Sequence, residues 1–262
     1  MIVHTIQTHK IAIEERDLLA LLDRYLTTFA AGSILAITSK IVAICQGRTI
    51  PISGVDKQAL IEQEAELFLP PTLNPANVTL TIKHGRLIPN AGIDASNGDD
   101  HYILWPHAPQ QVANAVRTYL QQRFGCTLVG VLITDSNVTP LRLGVSGVAV
   151  AHSGFLALND YVGAPDLFGR PLRMTRANVM EALAGSAVLA MGEGSEQTPL
   201  AVISDLPFVT FQEHEPTAAE LAQLHIPLTE DLFGPLLTSV PWRQGGASAD
   251  ASIEQEMNAR PS

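Results

Sequence analysis

Cysteine is scarce: Cys45 and Cys126 are the only two in 262 residues. Two isolated thiols cannot build a disulfide scaffold and suit a reducing compartment. Both are expected as buried space-fillers in a cytoplasmic protein. Positive charge is also short, with 16 Lys and Arg against 26 Asp and Glu and a net charge of -10. A broad nucleic-acid-binding surface needs clustered cations, so no nucleic-acid partner is expected. Small anions in a local basic pocket remain compatible with that balance. Long apolar runs are missing: none approaches the roughly 18 residues of a membrane span. The start, MIVHTIQTHKIAI, lacks a basic segment followed by an apolar core, so neither a secretory signal nor a membrane partner is expected. Familiar catalytic frames are missing too. There is no HExxH, no GxxxxGK[ST], no GxGxxG after a strand and no Gly-x-Ser-x-Gly around Ser146 or Ser153. Zinc hydrolysis, a standard phosphate loop and a serine nucleophile are therefore unsupported.

Hydrophobic residues make up 46% and charged residues 16%, the composition of a globular chain long enough for one large domain or two moderate ones. Residues 2–7 alternate weakly and read as a strand. Apolar residues at Leu18, Leu21, Leu22, Tyr25, Leu26 and Phe29 predict a helix over 15–29. The stretch 31–44 reads as a strand. A helix over 56–69 is expected to stop at Pro70 and Pro71. Residues 78–89 read as a hairpin turning at a glycine. A helix over 109–125 ends on Gly125, strands follow over 127–134 and 145–155, then a helix over 176–192 and a strand over 199–206. Interleaved helices and strands, with hairpin-like pairs among them, predict an α+β protein with mixed sheets. Residues 1–245 are expected to form the folded unit and 246–262 a polar tail.

Three separated stretches carry an acid among small residues: NAGIDASN with Asp94, ITDSNVTPLRLG with Asp135 and Ser136, and MGEGSEQTP with Glu193. Carboxylates placed so can converge without bulky neighbours. Hard divalent cations take such oxygen donors together with substrate phosphates and water. Each acid also has an ordinary structural use, as a turn cap or a solvated loop charge. Arg142, Arg170 and Arg173, with Ser39 and Lys40, could hold phosphate or carboxylate groups, or serve in surface ion pairs. His152 reads as a structural histidine, and the Trp105–Pro106 pair as a loop fixture.

Together with AGSILAITSKIVAICQGR, these stretches resemble the γ-glutamyl ligase family of deazaflavin coenzyme F-420 biosynthesis, over roughly residues 1 to 205. The resemblance implies an amide-forming ligase. The amino group of L-glutamate is joined to an acceptor carboxylate through an acyl phosphate, with GTP hydrolysed and ATP as the alternative. It implies two divalent cations, Mg2+ or Mn2+, with K+ as a further ion, and an intertwined homodimer of two-domain subunits. Carried over by position, the metal ligands are Asp94, Asp135, Ser136 and Glu193. The nucleotide contacts are His9, Lys10, Ile11, Ala12, Ser39, Lys40, Asn97, Met191, Gly192, Gly194, Ser195, Glu196, Gln197 and Thr198. Arg142 and Arg170 are candidate substrate or phosphate contacts.

This chain departs from the family in several places. Where family members carry a nucleotide-contacting lysine and a glutamate in SKAEGR, it has Ile44 and Gln46. His107 and Pro109 stand near the aspartates expected in LLPxDPD, and THKI replaces the commoner GLPLI. These changes point to a bacterial branch whose acceptor is coenzyme F-420-0 or a folate-type compound. A non-catalytic binder of nucleotide or metabolite is the alternative.

Overall fold

A computed structural model describes residues 1–247, so the expected tail lies outside the described residues from position 248 onward. The chain divides into two compact units. The first is built from residues 1–46 and 106–216, the second from 47–105 and from 217 onward.

The first unit is organised on a five-stranded sheet. Its strands are β1 (Ile2–Ile6), β2 (Ser33–Thr38), β3 (Val129–Val138), β4 (Val145–Ser153) and β5 (Leu200–Ser204), in the order β1-β5-β2-β3-β4. Only β2 and β3 run parallel, and the other neighbours are antiparallel. β2 and the first six residues of β3 are buried almost without interruption. A strand covered on both faces loses the alternation of a half-exposed one and reads as a continuous apolar run. Four helices accompany the sheet: α1 (Leu18–Tyr25), α2 (Ser39–Cys45), α3 (Pro109–Phe124) and α4 (Val179–Met191).

Local chemistry sets their limits. Asp17 caps α1 by accepting from the Ala20 N–H, and Asn178 caps α4 by accepting from the Glu181 N–H. Proline opens α3, and Gly125 closes it in the left-handed region at φ 65°. α4 lies so close to β4 that a Cβ at Gly147 would fall 2.4 Å from the Ala184 carbonyl oxygen. Any side chain there would push helix and sheet apart.

The second unit holds a four-stranded antiparallel sheet of Arg243–Gln244, Leu67–Leu69, Leu80–Lys83 and Arg86–Pro89, in that order. His84 and Gly85 both take positive φ and turn the hairpin in two residues, as the right-handed strand twist favours. Leu60, Ile61, Phe68, Ile93 and Leu104 anchor its core.

The α+β class holds, while several elements differ from the sequence reading. The stretch 31–44 is a strand only to Thr38 and continues as α2. A short apolar run suits a buried strand and a buried helix equally, so periodicity alone could not separate them. The helix expected over 56–69 covers Lys57–Glu64, and Pro70 follows a strand instead. The helix at 15–29 shortens to eight residues. Cys126 is half-buried, whereas Cys45 is a core residue.

Candidate functional site

The strand expected over 127–134 runs further than that. β3 runs on to Val138, and Asp135 and Ser136 pair with Val148 and Gly147 of β4. A register shift between Ile133 and Thr134 breaks the ladder just before them. Such bulges re-aim the side chains that follow. Burial falls along the same strand, from fully buried Thr134 to half-buried Asp135, Ser136 and Asn137. The Asp135 carboxylate accepts from the Ser136 N–H at 2.8 Å. The Ser136 hydroxyl in turn donates to the Glu193 carboxylate at 3.2 Å, across 57 residues of sequence. Three sequence-predicted oxygen donors therefore gather in the first unit. Among the described residues, no three His, Cys, Asp or Glu side chains form a ready-made metal cluster.

The segment after α4 is shaped by its glycines and acids. Gly192 sits at φ 82°, and a Cβ there would lie 2.5 Å from the Glu196 carboxyl carbon. Glu196 folds back to accept from the Gly194 N–H at 2.8 Å, and the Thr198 hydroxyl donates to the Met191 carbonyl. Two backbone bonds stitch this loop to its neighbours. Thr8 N–H donates to the Gln197 carbonyl at 2.8 Å, and Thr38 N–H to the Pro199 carbonyl at 3.0 Å. The 191–198 loop, the 9–12 segment and the Ser39–Lys40 start of α2 are thus neighbours, although they lie far apart in the sequence. Ser39 is buried and Lys40 half-buried.

Asp94 and Asn97 belong to the second unit. Asp94 is exposed, forms an isolated bridge with Ile103, and accepts from the backbone and hydroxyl of Ser96. Asn97 takes φ 55°. Arg142 and Arg170 are exposed in the first unit, on the 139–144 turn and the 161–175 arm. Arg142 donates to the Leu141 carbonyl at 3.1 Å.

The two departures at 44 and 46 have structural uses. Ile44 is buried in α2. The Gln46 side chain donates to the His107 carbonyl and accepts from the His107 N–H, both at 2.8 Å. The neighbouring Cys45 thiol is pushed up to about 11 by burial, with Glu15 and Asp17 adding to the rise. It stays protonated at neutral pH and is no nucleophile. His152 is buried edge-on against Phe155.

Sequence reasoning missed Tyr25 and Glu15. Tyr25 enters the sequence reading only as one of the apolar residues of a helix, yet its hydroxyl meets His9, and Glu15 meets the same imidazole. No motif spacing links residues 9 and 25.

The family model for F420-0:γ-glutamyl ligase matches residues 1–205. A coenzyme F420:L-glutamate ligase of Methanococcus maripaludis is 32% identical over 206 residues, covering 78% of this chain and 81% of that protein. The enzyme of the same name from Archaeoglobus fulgidus is 32% identical over 213 residues, with 74% and 84% covered. That from Natronomonas pharaonis is 33% identical over 222 residues, with 75% and 83% covered. The shared class is that of ligases. This chain belongs to the F420-0:γ-glutamyl ligase family.

Proposed function

We propose that the protein is a nucleotide-dependent γ-glutamyl ligase. An acceptor carboxylate oxygen attacks the γ-phosphorus of GTP, GDP leaves, and an acyl phosphate forms. The amine of L-glutamate then attacks the acyl carbon, loses a proton and expels inorganic phosphate, leaving an amide. The acceptor is coenzyme F-420-0 or a folate-type compound, and ATP is the alternative donor. Family membership supports the ligase class. The observation that carries the site is the contact of Ser136 with Glu193 beside Asp135.

An oxygen-only donor set of Asp135, Ser136 and Glu193 fits a hard cation, Mg2+ or Mn2+. Asp94 of the second unit is proposed as a ligand of the same kind, with two divalent ions in all and K+ as a further ion. When bound, the divalent ions neutralise the phosphates and the charge developing on the transferred group. The chain's own groups bind and orient. The 9–12 segment, Ser39, Lys40 and the 191–198 loop of the first unit hold the nucleotide, Asn97 is proposed as a nucleotide contact on the family resemblance alone, and Arg142 and Arg170 take phosphate or carboxylate groups. Neighbouring backbone segments in the first unit support this division of labour.

A homodimer completes the reading. Leu141 and Leu143 are 97% and 107% exposed, and Leu167 and Phe168 are 98% and 89% exposed. Monomers rarely leave large apolar groups uncovered in such numbers. A second copy of the chain is the proposed cover.

The test incubates the protein with GTP or ATP, Mn2+, glutamate and each acceptor, and seeks a product heavier by one glutamyl unit. Asp135→Asn is expected to lower turnover on the order of 100-fold, the scale of losing a group that stabilises developing charge. Unchanged turnover in that variant would remove Asp135 from the ligand set. The buried Ile44, standing where the family resemblance implies a lysine, favours a second reading as a non-catalytic binder. Tight nucleotide binding by calorimetry, without glutamate-dependent phosphate release, would support that reading instead.

A further inference from the structure

The stretch between β1 and α1 contains His9 to Ala12, and nothing in its sequence makes it regular. Its shape is fixed by a small hydrogen-bonded assembly. The backbone N–H of His9 donates to the Tyr25 hydroxyl oxygen at 2.9 Å. The same hydroxyl lies 2.5 Å from His9 Nδ1, and His9 Nε2 meets the Glu15 carboxylate. One tautomer satisfies every group. With the hydrogen on Nε2, the ring donates to Glu15, and Nδ1 accepts from the Tyr25 O–H while the Tyr25 oxygen accepts from the backbone. The two rings stack with centroids 5.7 Å apart and planes 21° from parallel.

Further bonds hold both ends of the segment. Upstream, Thr8 is buried and its N–H donates to the Gln197 carbonyl of the glycine-rich loop. Downstream, Arg16 donates to the carbonyls of Ile13, Glu15 and Ile44. Tyr25 also lines a cavity of about 470 Å3 with His4, Ile6, Leu26 and Phe29. The ring is held by the His9 stack and by the Arg24 guanidinium 5.3 Å from its centroid, and the hydroxyl adds the bonds to His9.

We propose that Tyr25 and Glu15 are positioning residues for nucleotide binding. They clamp the His9 imidazole and hold the 9–12 backbone in its binding conformation before nucleotide arrives. The inference rests on the nucleotide-binding reading above and deepens it, because neither residue is among those carried over from the family. Ordering a loop in advance removes an entropic cost from binding and leaves the bond-making step untouched. The effect therefore belongs in nucleotide affinity and KM rather than in kcat.

Wild type, Tyr25→Phe, Glu15→Ala and Glu15→Gln are to be titrated with GTP and with ATP in the presence of Mg2+ by calorimetry, then assayed for ligation. Loss of the hydroxyl bonds is expected to weaken nucleotide binding and raise its KM roughly 10-fold, with kcat within about 2-fold of wild type. Glu15→Ala moves in the same direction. Glu15→Gln, whose amide oxygen still accepts from Nε2–H, restores most of the loss. If wild type binds GTP or ATP and Tyr25→Phe binds it equally well, the positioning proposal fails alone. A fall in kcat at unchanged KM overturns it too. If wild type binds neither nucleotide, the nucleotide-binding reading fails first and the proposal falls with it.

Discussion

Glu64 in the second unit shows how one side chain can govern a region's response to acid. Its carboxylate receives Arg48 at 2.7 Å and Lys83 at 2.5 Å. Burial pushes the carboxyl upward, but hydrogen bonds and charge from Lys83, joined by Arg48, outweigh it and hold Glu64 below the usual range. Burial moves the Lys83 ammonium downward, and the attraction of Glu64 recovers only part of that. The cation is the more deeply buried partner, with 6% of its side chain exposed, and so bears more of the desolvation. A carboxyl with a depressed folded pKa adds stability above its unfolded value, and that stability drains as pH falls through the folded one. Urea midpoints should therefore fall between pH 5 and pH 3 more steeply in wild type than in Glu64→Gln. At pH 7 that variant should lose about 3 kcal/mol, because it leaves a buried ammonium without its counter-charge. Parallel acid profiles for the two proteins would contradict the assignment.

Legibility from sequence changes at the scale of elements. The hairpin at His84–Gly85 and the end of α3 at Gly125 were readable, because positive φ has few chemical solutions. α2 was not, since Ile41 to Cys45 are buried on every side and carry no periodic signal. The acids themselves were visible as small-residue stretches, but their setting was not. Asp135 follows a register shift in β3, and Ser136 reaches Glu193 only because β3 and the loop after α4 come together. The His9 contacts were hidden more completely, as Tyr25 carried only the helical spacing of α1. Local propensity thus marked turns and caps, while contacts made by sheet order had no local trace.

At the scale of the whole molecule, the family assignment covers residues 1–205 and the fold is α+β. Among the described residues, no helix is long and apolar enough to cross a membrane. The uncovered leucines and Phe168 of the 139–144 turn and 161–175 arm belong to the proposed dimer. Light scattering should give twice the 28.1 kDa chain mass for wild type. Phe168→Glu should shift the population towards monomer, since a charge placed in an apolar interface is costly. A wild-type monomer at micromolar concentration would refute the dimer.

The central claim is that phosphate passes from nucleotide to acceptor before the amide forms. Its most direct measurement labels the acceptor carboxylate with the heavy isotope of oxygen and follows the released phosphate by mass spectrometry. The account predicts one labelled oxygen in each phosphate released, and release that depends on both glutamate and acceptor. A glutamylated product accompanied by unlabelled phosphate would contradict it.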